Sequence, residues 1–197
     1  MFTILLLAAG SSSRMRGRDK LMEKVDGQPL ICTMAHRALQ ACRTVVVALP
    51  PNADTRFDAL NTLDVTTCVV QDAAKGMAFS LRAGVAALPK NASAVMILPA
   101  DMPELDALDL ETMIAAWRAS PSDAILRGTS TKGRPGHPVI FPKTDFAALQ
   151  EITGDQGARD VLKANATRVV LVPLPDQHAL TDLDTPEEWQ AWRGSQG

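Results

Sequence analysis

The stretch that decides the fold is residues 2–20, FTILLLAAGSSSRMRGRDK, in which an apolar run ends at small residues and a serine-rich, cationic segment follows. The run Ile4–Ala8 has the length of a buried strand. No Lys or Arg precedes it, as the basic region of a signal peptide would, and it is too short to span a membrane. We therefore expect a strand that delivers a loop, and not a targeting peptide.

Further apolar runs along the chain predict the same kind of strand, at residues 44–49, 65–70, 94–98, 124–126 and 169–172. Between most of them, apolar residues return with helical spacing, in the segments 30–42, 77–88 and 110–117. This alternation predicts an α/β fold with a mainly parallel sheet and helices on both faces. In such sheets ligands bind beyond the carboxyl ends of the strands, so the residues after each strand are the most informative about function.

The length of 197 residues fits a single domain, residues 1–197, and we see no linker or internal repeat. Residues 128–156 depart from the alternating pattern because they are rich in Gly, Pro and basic residues. We expect this stretch to form an insertion or rim on one side of the site, with one strand at 137–141.

Charge and cysteine content exclude some classes of protein. A formal net charge of −2 gives no bulk attraction to nucleic acid or to a membrane surface, so neither is expected as a partner. Cys32, Cys42 and Cys68 are odd in number and lack metal-ligand spacing, which favours a reduced, cytoplasmic protein. Because the net charge gives no general attraction to anions, any anion site must come from a local cluster of basic residues.

The loop after the first strand contains such a cluster. Small residues let backbone N–H groups approach an anion, and Arg14, Arg16, Arg18 and Lys20 supply charge. The pattern G-x-x-x-x-G-K-[ST] is missing because Gly17 is followed by Arg18, and G-x-G-x-x-G is missing too. The loop predicts phosphate binding, and a flexible loop with solvated charges is the alternative.

Three other stretches place polar residues at the ends of predicted elements. Asp101 directly follows a buried strand, where a carboxylate could hold Mg²⁺ or simply turn the chain. Gly76 opens a helix whose N–H groups could face a phosphate or a base, or could be an ordinary helix start. Residues 185–188 form a capping box, which leaves Asp182 and Asp184 as candidates for a second metal ligand.

These motifs together resemble the MobA-like nucleotidyltransferases. The loop is similar to the family pattern L-A-A-G-x-x-x-R-M-G-x-x-K at Leu7–Gly10, Arg14–Met15, Gly17 and Lys20. GMAFSLRAGV, PADMP, GRPGHPVIF, GDQGARDVL and DLDTPEEW then follow in the order expected of the molybdenum cofactor cytidylyltransferase (MocA) branch. The resemblance covers essentially the whole chain. One departure is Arg16, which lengthens the loop by one residue and leaves its role, and that of Arg18, open.

The resemblance implies a Rossmann-like nucleotidyltransferase fold. It also implies that CMP passes from CTP to a molybdopterin-type molybdenum cofactor with release of pyrophosphate. Mg²⁺, or Mn²⁺ in its place, is the implied cofactor, held by Asp101 together with Asp184 or Asp182. Arg14, Lys20 and Asp101 are the implied catalytic residues. A transient contact with a recipient molybdoenzyme or its chaperone is a further implied partner.

The same resemblance implies two sets of binding residues. The nucleotide set is Leu7, Ala8, Ala9, Gly10, Ser11, Ser12, Ser13, Arg14, Lys20, Gln71, Gly76 and Ser80. The acceptor set is Arg134, Gly136, His137, Asp155 and Arg159. Structural alternatives stay open, because His137 could be a structural hydrogen-bonder and Asp155 a helix N-cap or a partner of Arg159. Guanylyl-transferring relatives usually have Gly in place of Ala9, so its methyl group favours the smaller pyrimidine.

Other functions compete with cytidylyl transfer. The nearest is a guanylyl or sugar-phosphate nucleotidyltransferase of the same fold. An NADPH-dependent oxidoreductase of the same superfamily is a second, although it would lack the dinucleotide glycine fingerprint and give the acidic pair no evident role. A non-catalytic protein that delivers the molybdenum cofactor is a third.

Overall fold

The strands form one large sheet and a small hairpin. The structure, a computed structural model, describes residues 1–154 and 157–195. In these residues the strands are β1 (Phe2–Leu7), β2 (Lys24–Val25), β3 (Gln28–Pro29), β4 (Val45–Leu49), β5 (Thr66–Val69), β6 (Ala94–Pro99), β7 (Ile125–Thr129), β8 (Pro135–Pro142) and β9 (Val169–Pro173). β2 and β3 form the hairpin, and the others form a seven-stranded sheet in the order β5-β4-β1-β6-β8-β7-β9.

The large sheet is mainly parallel, as predicted. β1 pairs in parallel with β4 and β6, β4 with β5, and β7 with β9. β8 runs antiparallel to both of its neighbours, β6 and β7. The carboxyl ends of the parallel strands therefore meet at one edge of the sheet, and β8 begins at that same edge.

The stretch 128–156, predicted as an insertion or rim, also supplies an interior strand of the sheet. β8 extends beyond the predicted strand at 137–141 and lies between β6 and β7, with Ile140 and Phe141 fully buried. Helices pack on both faces of the sheet at this interior strand, with Ile140 in one core and Phe141 in the other, which suits this apolar run. Because β8 is antiparallel, its first residues, Gly136 and His137, lie at the carboxyl edge of the parallel strands.

Helices cover both faces of the sheet. They are α1 (Leu30–Ala41), α2 (Asp54–Leu60), α3 (Met77–Ala86), α4 (Ala107–Ala119), α5 (Phe146–Glu151), α6 (Arg159–Ala164) and α7 (Pro186–Ser195). Ile4 and Leu6 of β1 pack in the core formed with α1, α4 and α7, whereas Leu5 packs in the core with α3, α5 and α6. This alternation is the two-residue period of a strand that is buried on both faces.

Two expectations drawn from composition can be compared with the structure. Cys32, Cys42 and Cys68 are all free, so none is used in a disulfide. None of the helices in the described residues is both long and apolar enough to cross a membrane.

Candidate active site

A cavity of about 420 Å³ lies at the carboxyl ends of β1 and β6. It is lined by Leu7, Ala9, Gly10, Ser11, Arg14, Lys20, Leu21, Ala73, Ala74, Gly76, Met77, Ser80, Pro99, Asp101, Asp182 and Asp184. These residues come from the opening loop, the start of α3, the end of β6 and the turn before α7. Four distant parts of the chain thus meet where a parallel sheet is expected to bind a ligand.

The loop that follows β1 has an unusual backbone course. Ser12 and Arg16 have φ angles of 53° and 54°, and Gly17 has 87°, all in the left-handed region that few L-residues adopt. A single 3-10 turn at Ser13–Met15 separates two of these positions, and the side chain of Met15 is fully buried. The buried Met15 anchors the loop to the core, whereas Ser13, Arg14 and Arg16 are exposed.

Arg56 of α2 holds this loop in place through hydrogen bonds. It was not among the site residues predicted from the sequence. Its Nε and one terminal nitrogen each lie 2.7 Å from an oxygen of Asp19, and its other terminal nitrogen donates to the carbonyl oxygen of Ala8 at 2.6 Å. Arg56 is only 5% exposed. Burial acts to raise the pKa of the Asp19 carboxyl, but Arg56 outweighs it, so that pKa lies below its ordinary value. The sequence carries no signal for this role, because the burial of Arg56 and its contact with Asp19 arise only in the tertiary structure.

The hydroxyl group of Ser12 belongs to the same arrangement. It donates to Asp19 Oδ1 at 3.2 Å and accepts from the Lys20 backbone N–H at 3.2 Å and from Arg56 at 3.3 Å. These contacts use the one donor and both lone pairs of a hydroxyl. Ser12 therefore shapes the loop, and with Ser13 it lines a separate cavity of about 270 Å³ behind the loop.

The cavity contains a compact cluster of opposite charges. The Nζ atom of Lys20 lies 2.5 Å from Asp101 Oδ2 and 2.6 Å from Asp184 Oδ1. A terminal nitrogen of Arg14 lies 2.6 Å from Asp184 Oδ2. Burial disfavours the charged form of Lys20, but Asp101 and Asp184 outweigh it, so the pKa of the ammonium lies above its ordinary value.

Asp184 is held in place by the start of α7. The predicted capping box is present, because Glu188 N–H donates to Thr185 Oγ1 and Glu188 Oε2 accepts from the N–H of Thr185. The same oxygen accepts from the N–H of Asp184 at 2.8 Å. Leu183 N–H donates to the carbonyl oxygen of Asp101 at 3.1 Å, which ties this segment to the end of β6.

Asp182 lines the cavity beside this cluster but makes no ion pair with another described residue. Partial burial raises the pKa of its carboxyl, and the charges of Asp101 and Asp184 raise it further. The three carboxylates therefore repel one another, and Lys20 compensates two of them.

The donor chemistry fits a divalent metal. Asp101 and Asp184 direct oxygen atoms at one position. In this structure the Lys20 ammonium is the cation at that position. Across residues 1–154 and 157–195, no group of three or more His, Cys, Asp or Glu side chains could hold a metal. The protein would thus supply two carboxylates and leave the other positions to water and phosphate oxygens, as is usual for Mg²⁺.

The remaining residues predicted to contact the nucleotide lie in different places. Gly76 and Ser80 line the cavity at the start of α3. The side chain of Ala8 is fully buried and only its backbone borders the loop. Gln71 is exposed and is not part of the cavity lining.

The residues predicted to contact the acceptor separate into two groups. His137 and Arg159 line a second cavity of about 180 Å³, which Arg127 also lines. Arg134 is exposed and lines neither cavity, and Gly136 packs closely against the carbonyl oxygen of Ala179. Asp155 lies outside the described residues.

Arg16 and Arg18 form ion pairs at the protein surface. Arg16 lies 2.6 Å from Glu187 of α7, and Arg18 lies 3.2 Å from Glu23. The extra residue in the loop therefore connects it to the last helix, and neither arginine lines the central cavity.

Comparison with known proteins places this architecture in a family. Residues 4–169 match the MobA-like NTP transferase domain. A probable molybdenum cofactor guanylyltransferase from Synechococcus elongatus is 31% identical, with 96% of this chain and 97% of that protein covered. The nicotine blue oxidoreductase of Paenarthrobacter nicotinovorans is 28% identical, with 94% and 93% covered.

Solved structures agree on the fold. The crystal structure of Rv0371c from Mycobacterium tuberculosis in complex with manganese superimposes with a TM-score of 0.81 at 22% identity, with 98% of each chain covered. A nucleotidyl transferase from Methanothermobacter thermautotrophicus gives a TM-score of 0.82 at 17% identity, with 99% of this chain and 97% of that chain covered. The chain therefore belongs to the MobA-like NTP transferase family and has the Rossmann-like fold of the nucleotidyltransferases.

Proposed function

We propose that this nucleotidyltransferase moves CMP from CTP to the phosphate of a molybdopterin-type cofactor in a reaction that depends on a divalent metal. The observation that carries the proposal is the cluster of Lys20, Asp101 and Asp184 in a cavity walled by the small-residue loop. A cation position flanked by two carboxylates, beside the small-residue loop and one further cation, Arg14, suits a triphosphate.

The proposed reaction is a displacement at phosphorus. An oxygen of the acceptor phosphate forms a bond to the α-phosphorus of CTP, and the bond from that phosphorus to the oxygen bridging to the β-phosphorus breaks. That oxygen leaves with the electron pair as part of pyrophosphate. The nucleophile is already ionised, so no general base is required. Catalysis then consists of positioning the two anions and neutralising their charge.

Lys20 and Arg14 are suited to this neutralisation. An ammonium has three N–H donors, and Lys20 uses two of them on Asp101 and Asp184. A metal at that position would displace the ammonium from the two carboxylates and leave its donors for phosphate oxygens. Arg14 contacts Asp184 through one terminal nitrogen and its side chain is 67% exposed, so its other donors face the solvent-filled cavity.

Asp101 and Asp184 are the proposed ligands of the metal. When bound there, Mg²⁺ or Mn²⁺ would polarise phosphate oxygens and offset the negative charge of the leaving group. The relative from Mycobacterium tuberculosis was crystallised with manganese, which supports a divalent metal in this fold. Asp182, with its raised pKa, is not needed for the pair and is proposed only to border the site.

The preference for CTP rests on Ala9. Ala9 is one of the residues that line the cavity, and a glycine there would remove a methyl group and leave more room for a base. Guanylyl transfer is the second candidate, because the relative from Synechococcus elongatus carries that name. A third candidate is an NADPH-dependent oxidoreductase, because one relative is named nicotine blue oxidoreductase.

A pyrophosphate-release assay with the reduced molybdopterin acceptor and each of CTP, GTP, ATP and UTP tests the proposal. We expect turnover with CTP that requires Mg²⁺ or Mn²⁺. Ala9→Gly should raise activity with GTP relative to CTP. Ala8→Gly removes a methyl group that is fully buried outside the cavity, and should leave the ratio unchanged.

Other outcomes would assign a different function. A strong preference of the wild-type protein for GTP would overturn the proposed base. Tight NADPH binding without a need for metal, and no pyrophosphate release, would favour an oxidoreductase. Binding of the dinucleotide product without turnover would indicate a delivery protein for a recipient molybdoenzyme.

A further inference from the structure

The second cavity adjoins the nucleotide cavity. It shares Leu7 and Met77 with that cavity, and its walls are mostly apolar side chains of the sheet, α3 and α6. At about 180 Å³ it is smaller than the range of about 300–1,000 Å³ usual for whole ligands. It can therefore hold only part of a larger molecule.

A third cavity extends the second one outward. It has a volume of about 460 Å³, lies against β9 at the edge of the sheet and shares Arg127, Arg159 and Leu162 with the second cavity. Leu171 of β9, which is 50% exposed, lies on its wall. The three cavities thus form a continuous series from the triphosphate site to an exposed apolar surface.

Arg127 stands where the second and third cavities meet. It is half-buried on β7, and its Nε donates to the carbonyl oxygen of Gly136 at 3.0 Å. In the part of the chain that the structure describes, Arg127 has no carboxylate within 4.0 Å. Burial lowers its pKa, and the charge of Arg159 lowers it further. A partly buried cation beside a second cation favours an anion as its partner.

His137 supplies a second, independent observation. Its Nδ1 atom is buried and, among the described residues, has no hydrogen-bond partner. Its ring lines the same small cavity. A buried polar atom without a partner is uncommon in native proteins, and a bound anion or its water could supply one here.

We propose that Arg127 binds the phosphate of the acceptor at the inner cavity and that the ring system of the acceptor lies in the outer cavity against Leu171. This inference rests on the proposed function for the identity of the acceptor. The inner cavity suits a phosphate and its linking carbon. The outer cavity suits a flat ring, whose face can lie on Leu171 while its polar edge meets Lys163 or solvent. The phosphate is thereby directed toward the nucleotide cavity at Leu7 and Met77.

The test separates phosphate binding from ring binding. A pterin carrying a phosphomonoester and the same pterin without phosphate are titrated into the full-length protein, with binding followed by the pterin's own fluorescence. Arg127→Gln should weaken binding of the phosphorylated pterin, with a rise in its Kd of about ten- to a hundredfold, the loss expected for one charge-assisted contact. It should change binding of the unphosphorylated pterin, and of CTP, by less than about twofold.

Further variants keep the result interpretable. Arg127→Lys retains the charge and should lose less affinity than Arg127→Gln. Leu171→Ala should weaken the binding of both pterins by the same factor, because the contact that it removes is with the ring and not with the phosphate. Arg118→Gln changes an exposed arginine in the last turn of α4, on the other face of the sheet, and is the matched control for charge loss. Circular dichroism melting curves of each variant establish that it is folded.

Two results would overturn the proposal: equal weakening of both pterins by Arg127→Gln, or no weakening of either when the variant is folded. The fate of the proposed function is read separately from CTP turnover. If the protein releases no pyrophosphate with any nucleotide yet binds the phosphorylated pterin through Arg127, the proposed function fails and the Arg127 site stands. If the wild-type protein releases pyrophosphate with CTP while folded Arg127→Gln binds both pterins as the wild type does, the site fails and the function stands.

Discussion

Replacing Arg56 by Met should destabilise the protein and loosen the loop that follows β1. Arg56 makes two 2.7 Å contacts with Asp19 and one of 2.6 Å with the carbonyl oxygen of Ala8. Methionine fills much of the same space but can make none of these hydrogen bonds. The substitution therefore isolates the polar contacts from the packing.

The size of the effect follows from burial. Removing one partner of a buried ion pair costs about 3–5 kcal/mol because the other charge is left uncompensated. Asp19 is 28% exposed, which favours the lower end of that range, whereas the loss of the donor to the buried Ala8 carbonyl adds to it. We expect a loss of about 3 kcal/mol in the free energy of unfolding, or about 6–12 °C in Tm for a domain of this size.

Urea unfolding measures this loss, and Arg16→Met is the matched control. Arg16 makes a 2.6 Å ion pair with Glu187 in the same loop region, but the two side chains are 73% and 62% exposed. Such a surface pair contributes about 1 kcal/mol or less. The apparent affinity for CTP should also fall in Arg56→Met, because Ser12 and the Lys20 backbone lose their fixed support.

The pH dependence gives an independent check. The pKa of Asp19 is lowered in the folded protein, so the stabilisation by Arg56 is fully present above the ordinary value of 3.8 and is lost as the pH falls through the lower, folded value. Arg56→Met should remove this part of the acid dependence. A loss of less than about 1 kcal/mol, similar to that of Arg16→Met, would refute the reasoning.

Three further predictions rest on single sites. Asp101→Asn removes one carboxylate from the proposed metal position, so pyrophosphate release should fall by about a hundredfold or more with a native-like melting curve; near wild-type turnover would contradict the assignment. Gly84→Ala would place a Cβ 2.5 Å from both methyl carbons of Leu5, so urea unfolding should show a loss of about 1–3 kcal/mol, and an unchanged midpoint would contradict the close packing of α3 on β1. Burial, together with Arg127, lowers the pKa of His137 to about 4 from 6.5. The unfolded chain therefore takes up the proton first as the pH falls, and the free energy of unfolding should decrease from pH 6.5 toward 4. His137→Asn should reduce that slope, and an identical slope in the variant would show that another group causes it.

Most of the fold could be predicted from local pattern. The predicted strand Ile4–Ala8 corresponds to β1 (Phe2–Leu7), and the helical spacing at 77–88 corresponds to α3 (Met77–Ala86). Buried parallel strands and amphipathic helices carry their periodicity within a few residues, so a single sequence reveals them. α2 was not predicted because its seven residues are too few for a helical spacing of apolar positions to repeat.

The sequence also indicated which residue types gather near the site, but it could not assign each contact. Gln71 and Arg134 have the right chemistry and the right place in the chain order, yet both are exposed and line neither of the cavities. Ser12 has a hydroxyl in the loop that follows β1, yet all of its hydrogen-bonding capacity goes to groups of the protein itself. Whether a polar group is free depends on neighbours that are remote in the chain.

By itself, the sequence determined the alternating α/β pattern, the loop after the first strand and the capping box that starts the last helix, because each of these follows from residues within one turn or strand. Only the tertiary structure decided that Lys20 stands between Asp101 and Asp184, which are 81 and 164 residues away. It also brought Arg127 to the edge of the site, by placing β8 inside the sheet. The physical reason is that local periodicity reports which faces are buried, whereas the partner of a charge is set by which strand ends become neighbours.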